Sequence, residues 1–127
     1  MKTKISAHKD RMGVFRITPS GSIDSDTYLD FSDSVTPLLI STTKGIVLDL
    51  TEVDYISSAG LGVLFTMKKF LKNNGGELLF CNLKPQIVRL FEIVNALPKE
   101  ALFKSADEAD AYLYRMMNKP ADENKTK

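Results

Sequence analysis

Residues 46–64 read IVLDLTEVDYISSAGLGVL and divide into an apolar run, a polar loop and the start of a second apolar pattern. The run at 46–50 is too apolar for a half-exposed strand, so it predicts a strand in the middle of a sheet covered on both faces. From about residue 59 to 73, apolar residues recur at helical spacing and predict a helix. Ser57 and Ser58 therefore lie where a buried strand leads into a helix.

The remaining chain alternates strand patterns with helix patterns. Strands are predicted at 3–8, 13–18, 77–81 and 101–104, and helices from Ser25 or Asp24 to Pro37, from Pro85 onward and from Ser105 onward. Because strands and helices alternate after residue 45, the strands there should be parallel with right-handed crossovers, joined to an antiparallel N-terminal strand. We predict an α/β fold with a small mixed sheet of about five strands and about four helices.

Polar residues mark the predicted helix ends. Ser105 and Glu108 have the spacing of a capping box ahead of the last helix. Asn74, Gly75 and Gly76 should end the second helix, because glycine readily closes a helix in a left-handed conformation. Pro85 stands where a first helical residue is expected.

Length and composition indicate one globular domain. The chain has 127 residues, of which 43% are hydrophobic and 26% charged, and these values suit a soluble domain that buries its own core. We assign residues 1–117 to that domain. Residues 118–127 contain almost nothing to bury and predict a flexible polar C-terminal tail.

Charge, termini and cysteine content exclude several classes of function. The formal net charge of +1 gives no electrostatic reason to expect nucleic acid or an anionic membrane as partner. The N-terminus lacks the apolar run of a secretory signal, so we expect a cytoplasmic protein. With one cysteine, Cys81, and one histidine, His8, we predict neither a disulfide nor a structural metal site. Cys81 is interpreted as a small core residue.

The serine pair allows two interpretations from its position alone. A serine at a helix start caps the helix through its hydroxyl, which contributes about 1 kcal/mol without any signalling. Alternatively, a phosphate on such a serine would meet the unpaired amides and the positive end of the helix, which suit an anion.

A family resemblance favours the second interpretation. Residues 46–64, together with Gly-Ser-Ile-Asp-Ser at 21–25, Gly-Gly-Glu-Leu at 75–78, Phe-Glu at 91–92 and Leu-Phe at 102–103, closely resemble the STAS domain of bacterial anti-sigma-factor antagonists. The resemblance extends to about residue 115. It implies that Ser58 is the phosphorylated residue, with Ser57 as an alternative acceptor, because Ser57 stands where one form of the motif has aspartate.

The resemblance also implies partners. The dephosphorylated form should bind an anti-sigma factor with serine kinase activity and free the sigma factor, phosphorylation of Ser58 should end that binding, and a serine phosphatase should restore it. ATP belongs to the kinase, so this chain needs no cofactor. Asp24 matches an aspartate that meets a basic residue of the kinase, although it could instead only cap the first helix.

The second helix predicts part of the partner surface. At 100° per residue, its core face holds Gly60, Val63, Leu64, Met67 and Leu71. Leu61 and Phe65 fall outside that face, in a stripe with Lys68 and Lys72 that begins beside Ser58. They predict a partly exposed apolar and basic ridge, unless a neighbouring loop covers Phe65. The predicted partner-binding residues are Asp24, Ser57, Ser58, Ala59, Gly60, Leu61 and Phe65.

Enzyme functions are less well supported. Gly60 and Gly62 lack the third glycine of a dinucleotide loop, no phosphate-binding Gly-Lys-Ser or Gly-Lys-Thr occurs, and His8 is poorly placed to activate a serine. Asp49, Glu52 and Asp54 could suggest paired carboxylates for acid–base chemistry or for binding magnesium, but a strand end and a solvated loop explain them more simply. We predict that the chain is not an enzyme; the alternatives are a non-switching STAS adaptor in a lipid-transport or stress complex, and a small serine hydrolase.

Overall fold

The structure is a computed structural model that describes residues 1–94 and 102–117. Within those residues the chain forms five strands, four α-helices and a 3₁₀ turn at Thr36–Leu38. In chain order the elements are β1 (Lys2–Ala7), β2 (Val14–Ser20), α1 (Tyr28–Val35), β3 (Gly45–Asp49), α2 (Ser58–Asn73), β4 (Glu77–Cys81), α3 (Pro85–Val94), β5 (Leu102–Phe103) and α4 (Ala106–Met117). The predicted tail at 118–127 lies outside the described residues, so the domain boundary stays a prediction.

The strands form one mixed sheet in the order β1-β2-β3-β4-β5. β1 pairs antiparallel with β2, whereas β3 is parallel to β2, β4 to β3 and β5 to β4. Each parallel pair is joined through a helix, as the alternating pattern requires. The predicted α/β fold class is therefore confirmed.

β3 lies in the middle of the sheet and is covered on both faces. Successive residues of a strand point to opposite faces, and residues 46–48 are all buried. α4 covers one face, because a Cβ built on Gly45 would come within 3.0 Å of the Leu113 Cδ1 atom. α2 lies against β4. The buried residues of α2 are Gly60, Leu61, Leu64, Met67 and Leu71.

Three predicted helix ends are confirmed. The Gly76 amide donates to the Leu71 carbonyl at 2.7 Å, and Gly75 has a φ of 75°, which closes α2 as glycine readily does. The Ser105 Oγ accepts from the Glu108 amide at 3.2 Å and starts α4. α3 begins at Pro85, as predicted.

Cys81 is a buried core residue, which confirms its interpretation. Burial, with a smaller contribution from the Asp49 carboxylate, raises the pKa of its thiol to about 12. Because the thiolate is the reactive form, we expect native protein at pH 8 to react with the disulfide reagent DTNB at least about a hundredfold more slowly than the urea-unfolded chain. A native rate within about tenfold of the unfolded rate would contradict this expectation.

Candidate functional site

Two loops meet at the carboxyl ends of β2 and β3. Ile23, which follows β2, forms a parallel bridge with Ile56, which follows β3. The Ile23 amide donates to the Tyr55 carbonyl at 2.9 Å, and the Ile23 carbonyl accepts from the Ser57 amide at 2.8 Å. This pairing lies beyond the main strands and holds Asp24 and the serine pair at the same end of the domain.

Ser57 is the N-cap residue of α2. Its Oγ accepts from the Gly60 amide at 3.2 Å, and its carbonyl accepts from the Leu61 amide at 2.8 Å. A serine in this position satisfies an amide that has no partner within the helix. The capping interpretation of the serine pair therefore applies to Ser57, whose side chain is half-buried.

Ser58 is the first residue of α2 and is exposed. It lies at the positive end of the helix, where the amides of the first turn favour an anion. A phosphoryl group attached here would enter solvent, so the buried core beneath it would stay packed. An enzyme approaching from outside can reach Ser58 more readily than its hydrogen-bonded neighbour.

Gly60 permits the close approach of α2 to the loop bridge. A Cβ built on Gly60 would lie 2.5 Å from the Ile23 carbonyl oxygen and 2.9 Å from the Ile56 Cγ2 atom. No real Cβ tolerates such distances, so only glycine fits without a shift of the backbone. Gly60 is buried, and it therefore supports the site from below.

Leu61 is 6% exposed, so the prediction that it forms part of an exposed ridge is wrong. Lys68, predicted in the same stripe, is half-buried. Helical periodicity places Leu61 at the border of the core face, and full burial of a leucine is worth about 1.5–3 kcal/mol. The border residue therefore packs into the core, whereas Val63, predicted to be core, is only half-buried.

An exposed ridge is present on α2, but Gly62 and Lys69 belong to it in place of Leu61 and Lys68. Ser58, Gly62, Phe65, Lys69 and Lys72 are all exposed and follow one another at spacings of four and three residues. We call this set the α2 ridge. Phe65 is 36% exposed, so the predicted apolar and basic character is confirmed for Phe65 and Lys72.

Asp24 organises the loop before α1. Its Oδ1 accepts from the amides of Asp26 at 2.9 Å and Thr27 at 3.2 Å. The N-cap residue of α1 is Thr27, so the prediction that Ser25 or Asp24 caps this helix is wrong. The Thr27 hydroxyl instead donates to the Ser22 carbonyl at 2.6 Å, which keeps the loop folded against itself. Asp24 remains half-buried beside the bridge.

Tyr55 and Lys84 border the serine loop but were not among the predicted site residues. Tyr55 is 55% exposed next to the bridge, and the Lys84 Nζ forms an ion pair with the Asp54 carboxylate. Lys84 follows β4 as Asp54 follows β3, and the carboxyl ends of neighbouring parallel strands meet at one edge of a sheet. The positions of Lys84 and Asp54 directly after two neighbouring parallel strands could have identified Lys84 as a residue near the serine loop.

The acidic residues considered for acid–base chemistry all bind neighbours. Asp49, Glu52 and Asp54 contact Asn82, Ser20 and Lys84, respectively. Among residues 1–94 and 102–117, no group of three or more His, Cys, Asp or Glu side chains could hold a metal ion. In the same part of the chain, no helix combines the length and the apolar character needed to cross a membrane.

Two proteins that are similar to this chain in sequence are named as anti-sigma factor antagonists. The Bordetella bronchiseptica protein BtrV, which is named an anti-sigma factor antagonist, is 44% identical over 68 residues, which cover 54% of this chain and 56% of BtrV. The match thus spans little more than half of that relative. The anti-sigma-B factor antagonist of Staphylococcus aureus is 32% identical over 79 residues, 62% of this chain and 73% of that protein.

Comparison with solved structures gives the same fold. The anti-sigma factor antagonist SpoIIAA in its unphosphorylated form superposes with a TM-score of 0.75 and 12% identity, over 89% of this chain and 96% of that one. Phosphorylated Bacillus SpoIIAA gives a TM-score of 0.70 and 12% identity, over 88% and 99%. Residues 6–109 match the STAS domain family. This chain therefore belongs to the STAS domain family.

Proposed function

We propose that this chain is an anti-sigma-factor antagonist that is switched by phosphorylation of Ser58. Its dephosphorylated form binds an anti-sigma factor with serine kinase activity and thereby frees the sigma factor. The observation that carries this proposal is the exposed Ser58 at the first position of α2, beside a Ser57 hydroxyl that is occupied by the Gly60 amide. The antagonist names of the Bordetella and Staphylococcus relatives support it.

The switch acts on the surface and leaves the fold in place. A phosphoryl group adds roughly −1.5 to −2 charges and several acceptor oxygens. The α2 N-terminus tolerates that charge, but a partner that covers Ser58 with apolar or acidic groups must desolvate or oppose it. A cost of a few kcal/mol corresponds to a ten- to hundredfold or greater loss of affinity, which is enough to release the partner.

The proposed partner surface combines both loops with α2. Asp24 supplies a carboxylate for a basic residue of the partner, and Ser58 and Phe65 supply the exposed centre. Ala59 is half-buried at the edge of this surface. Leu61 and Gly60 contribute from the core, because their packing fixes the position of the first turn.

The reaction itself belongs to the partners. In this proposal the anti-sigma factor holds ATP and transfers the phosphate, a serine phosphatase removes it, and this chain is a non-enzymatic substrate of both. Because sigma factors act in the cytoplasm, we place the chain there. Neither nucleic acid nor a membrane is part of the proposed cycle.

The decisive experiment follows the phosphate on intact protein. The tagged chain is expressed in its native host, purified with its bound partner, and incubated with ATP and Mg²⁺ before intact-mass measurement. We expect a mass gain of one phosphoryl group, loss of the partner from the complex, and no gain for Ser58→Ala.

Ser57→Ala is the matched control in the neighbouring position. It should still gain the phosphate, while its free energy of unfolding falls by about 1 kcal/mol because α2 loses its cap. Phosphate on Ser57→Ala and none on Ser58→Ala supports the assignment. A bound kinase that leaves the wild-type mass unchanged would refute the switch and favour the non-switching adaptor.

A further inference from the structure

β1 forms one edge of the sheet and leaves its outer side open. Among the described residues, the sheet order places β2 on one side of β1 and no strand on the other. The register runs without interruption from Lys2 opposite Ser20 to Ala7 opposite Phe15, so no bulge twists this strand away from a partner. β1 also contains no proline, which would remove an outward amide. We call the open side of this strand the β1 edge.

The hydrogen-bond pattern identifies the backbone groups that face the β1 edge. The His8 amide donates to the Val14 carbonyl at 2.8 Å, just beyond the end of the strand pair. Residues of an antiparallel pair alternate between hydrogen-bonded and non-hydrogen-bonded positions, so Ser6 and every second residue before it bond to β2. The residues of β1 between those positions are Thr3, Ile5 and Ala7. Their amides and carbonyls therefore point to the β1 edge, where an added strand can bond to them.

Two exposed lysines lie between these backbone groups. Lys2 and Lys4 share one face of the sheet, because successive side chains of a strand point to opposite faces. Within the part of the chain that the structure describes, neither lysine forms an ion pair. Arg16 of β2 lies on the same face, but its guanidinium is 3.8 Å from the Asp110 carboxylate. The positive charge that remains for a partner is therefore that of Lys2 and Lys4.

The opposite face of β1 offers an apolar contact. Ile5 points to that face and is 40% exposed, beside the buried Ile17 of β2. An added strand would bring an apolar residue against Ile5 and an acidic residue against each lysine, because its own side chains also alternate. Lysines on an edge strand hinder pairing between two identical edges. The same lysines attract a strand that carries acidic residues, since opposite charges on facing strands stabilise a pair.

We propose that the β1 edge binds an extended segment of a protein partner in which acidic and apolar residues alternate. The segment adds to the sheet as an antiparallel strand, the more stable of the two pairings per residue. Its apolar residues exchange backbone hydrogen bonds with the outward groups of β1. Its acidic residues face Lys2 and Lys4 at the non-hydrogen-bonded positions, where facing side chains are closest. The proposal goes beyond the Ser58 switch, because this pairing requires no modification.

The test uses fluorescent synthetic peptides of about eight residues, the length of a typical strand, in which glutamate and valine alternate. In the proposed register the valine amides point to β1 and the glutamate amides point away from it. N-methylation of two valines removes donors that the pairing needs, and anisotropy should show binding at least about tenfold weaker. N-methylation of two glutamates is the matched control and should leave the affinity within about twofold.

Charge reversal connects binding to the two lysines. The double variant Lys2→Glu, Lys4→Glu should bind the glutamate–valine peptide at least about tenfold more weakly, and it should bind a lysine–valine peptide that the wild type does not bind. The control is the double variant Arg89→Glu, Lys104→Glu. It changes the net charge by the same amount at exposed positions on α3 and after β5, and it should bind the glutamate–valine peptide as the wild type does.

Three results would overturn the proposal. They are no binding of the glutamate–valine peptide, a loss from methylated glutamates as large as that from methylated valines, or equal binding by the two double variants. Sedimentation of the chain alone provides a further check, since self-association that is lost in Ile5→Pro would make a second copy the occupant. That proline removes an outward amide and leaves the bonds to β2 in place. Ser58→Glu should bind the peptide normally, so failure of the β1 edge and failure of the switch are distinguishable.

Discussion

Replacing Gly60 by alanine should lower the free energy of unfolding by about 3 kcal/mol, the upper part of the usual range for overpacking a core. The added Cβ would lie 2.5 Å from the Ile23 carbonyl oxygen, which is fixed backbone that cannot rotate away. Either α2 or the loop bridge must shift, and the hydrogen bond between Ile23 and Ser57 must lengthen. Urea unfolding followed by circular dichroism measures the change.

Gly62→Ala is the matched control for Gly60→Ala. Both glycines lie in the first half of α2, but Gly62 faces open space. The alanine there should leave the fold intact and raise the free energy of unfolding by up to about 1 kcal/mol, because alanine is the better helix former. Equal effects of the two substitutions would mean that helix propensity, and not the contact with Ile23, determines the stability at Gly60.

Replacing Ser58 by glutamate should weaken binding of the co-purified anti-sigma partner at least about tenfold, or about 1.4 kcal/mol. The carboxylate places a negative charge near the position of the proposed phosphate, although it carries less charge than a phosphoryl group. The free energy of unfolding should stay the same or rise by about 0.3–1 kcal/mol, because negative charge is favourable at a helix N-terminus. Calorimetric titration of the purified partner, with thermal unfolding of the free chain, measures both effects.

Ser58→Gln separates charge from size. Its side chain has nearly the shape of glutamate but is neutral, so it should retain most of the affinity that Ser58→Glu loses. The loss in Ser58→Glu should also shrink at high salt, since exposed charges are screened. Equal losses in the two variants would show that bulk at Ser58, and not charge, ends partner binding.

Local pattern was sufficient to predict most of the fold. The apolar run at 46–50 identified the central strand, and the glycines at 75–76 identified the end of α2, because these signals depend on neighbouring residues alone. Thr27 was missed as the N-cap of α1 because Asp24 and Ser25 have equally good capping side chains. Thr27 is the N-cap because regular helical bonding begins there, with the Phe31 amide donating to the Thr27 carbonyl at 3.0 Å, and capping propensity does not reveal that starting point.

The candidate site depends more strongly on contacts between distant segments. The resemblance to the STAS domain selected Ser58 and Asp24 as candidates, but periodicity could not decide whether Leu61, at the border of a helical face, turns inward. The contact between Lys84 and Asp54 and the burial of Leu61 depend on the sheet order and on the packing of α2 in the folded domain. Neither is encoded in the spacing of nearby residues.

The bridge between Ile23 and Ile56 also bears on the timing of recognition during synthesis. The two residues come from separate stretches of the chain, and their pairing is available only once β2, β3 and the start of α2 have come together. A nascent polypeptide whose α2 is still inside the ribosome cannot present Asp24 and Ser58 as one surface. A partner that requires both residues would therefore ignore unfinished chains and engage only molecules that have completed this part of the fold.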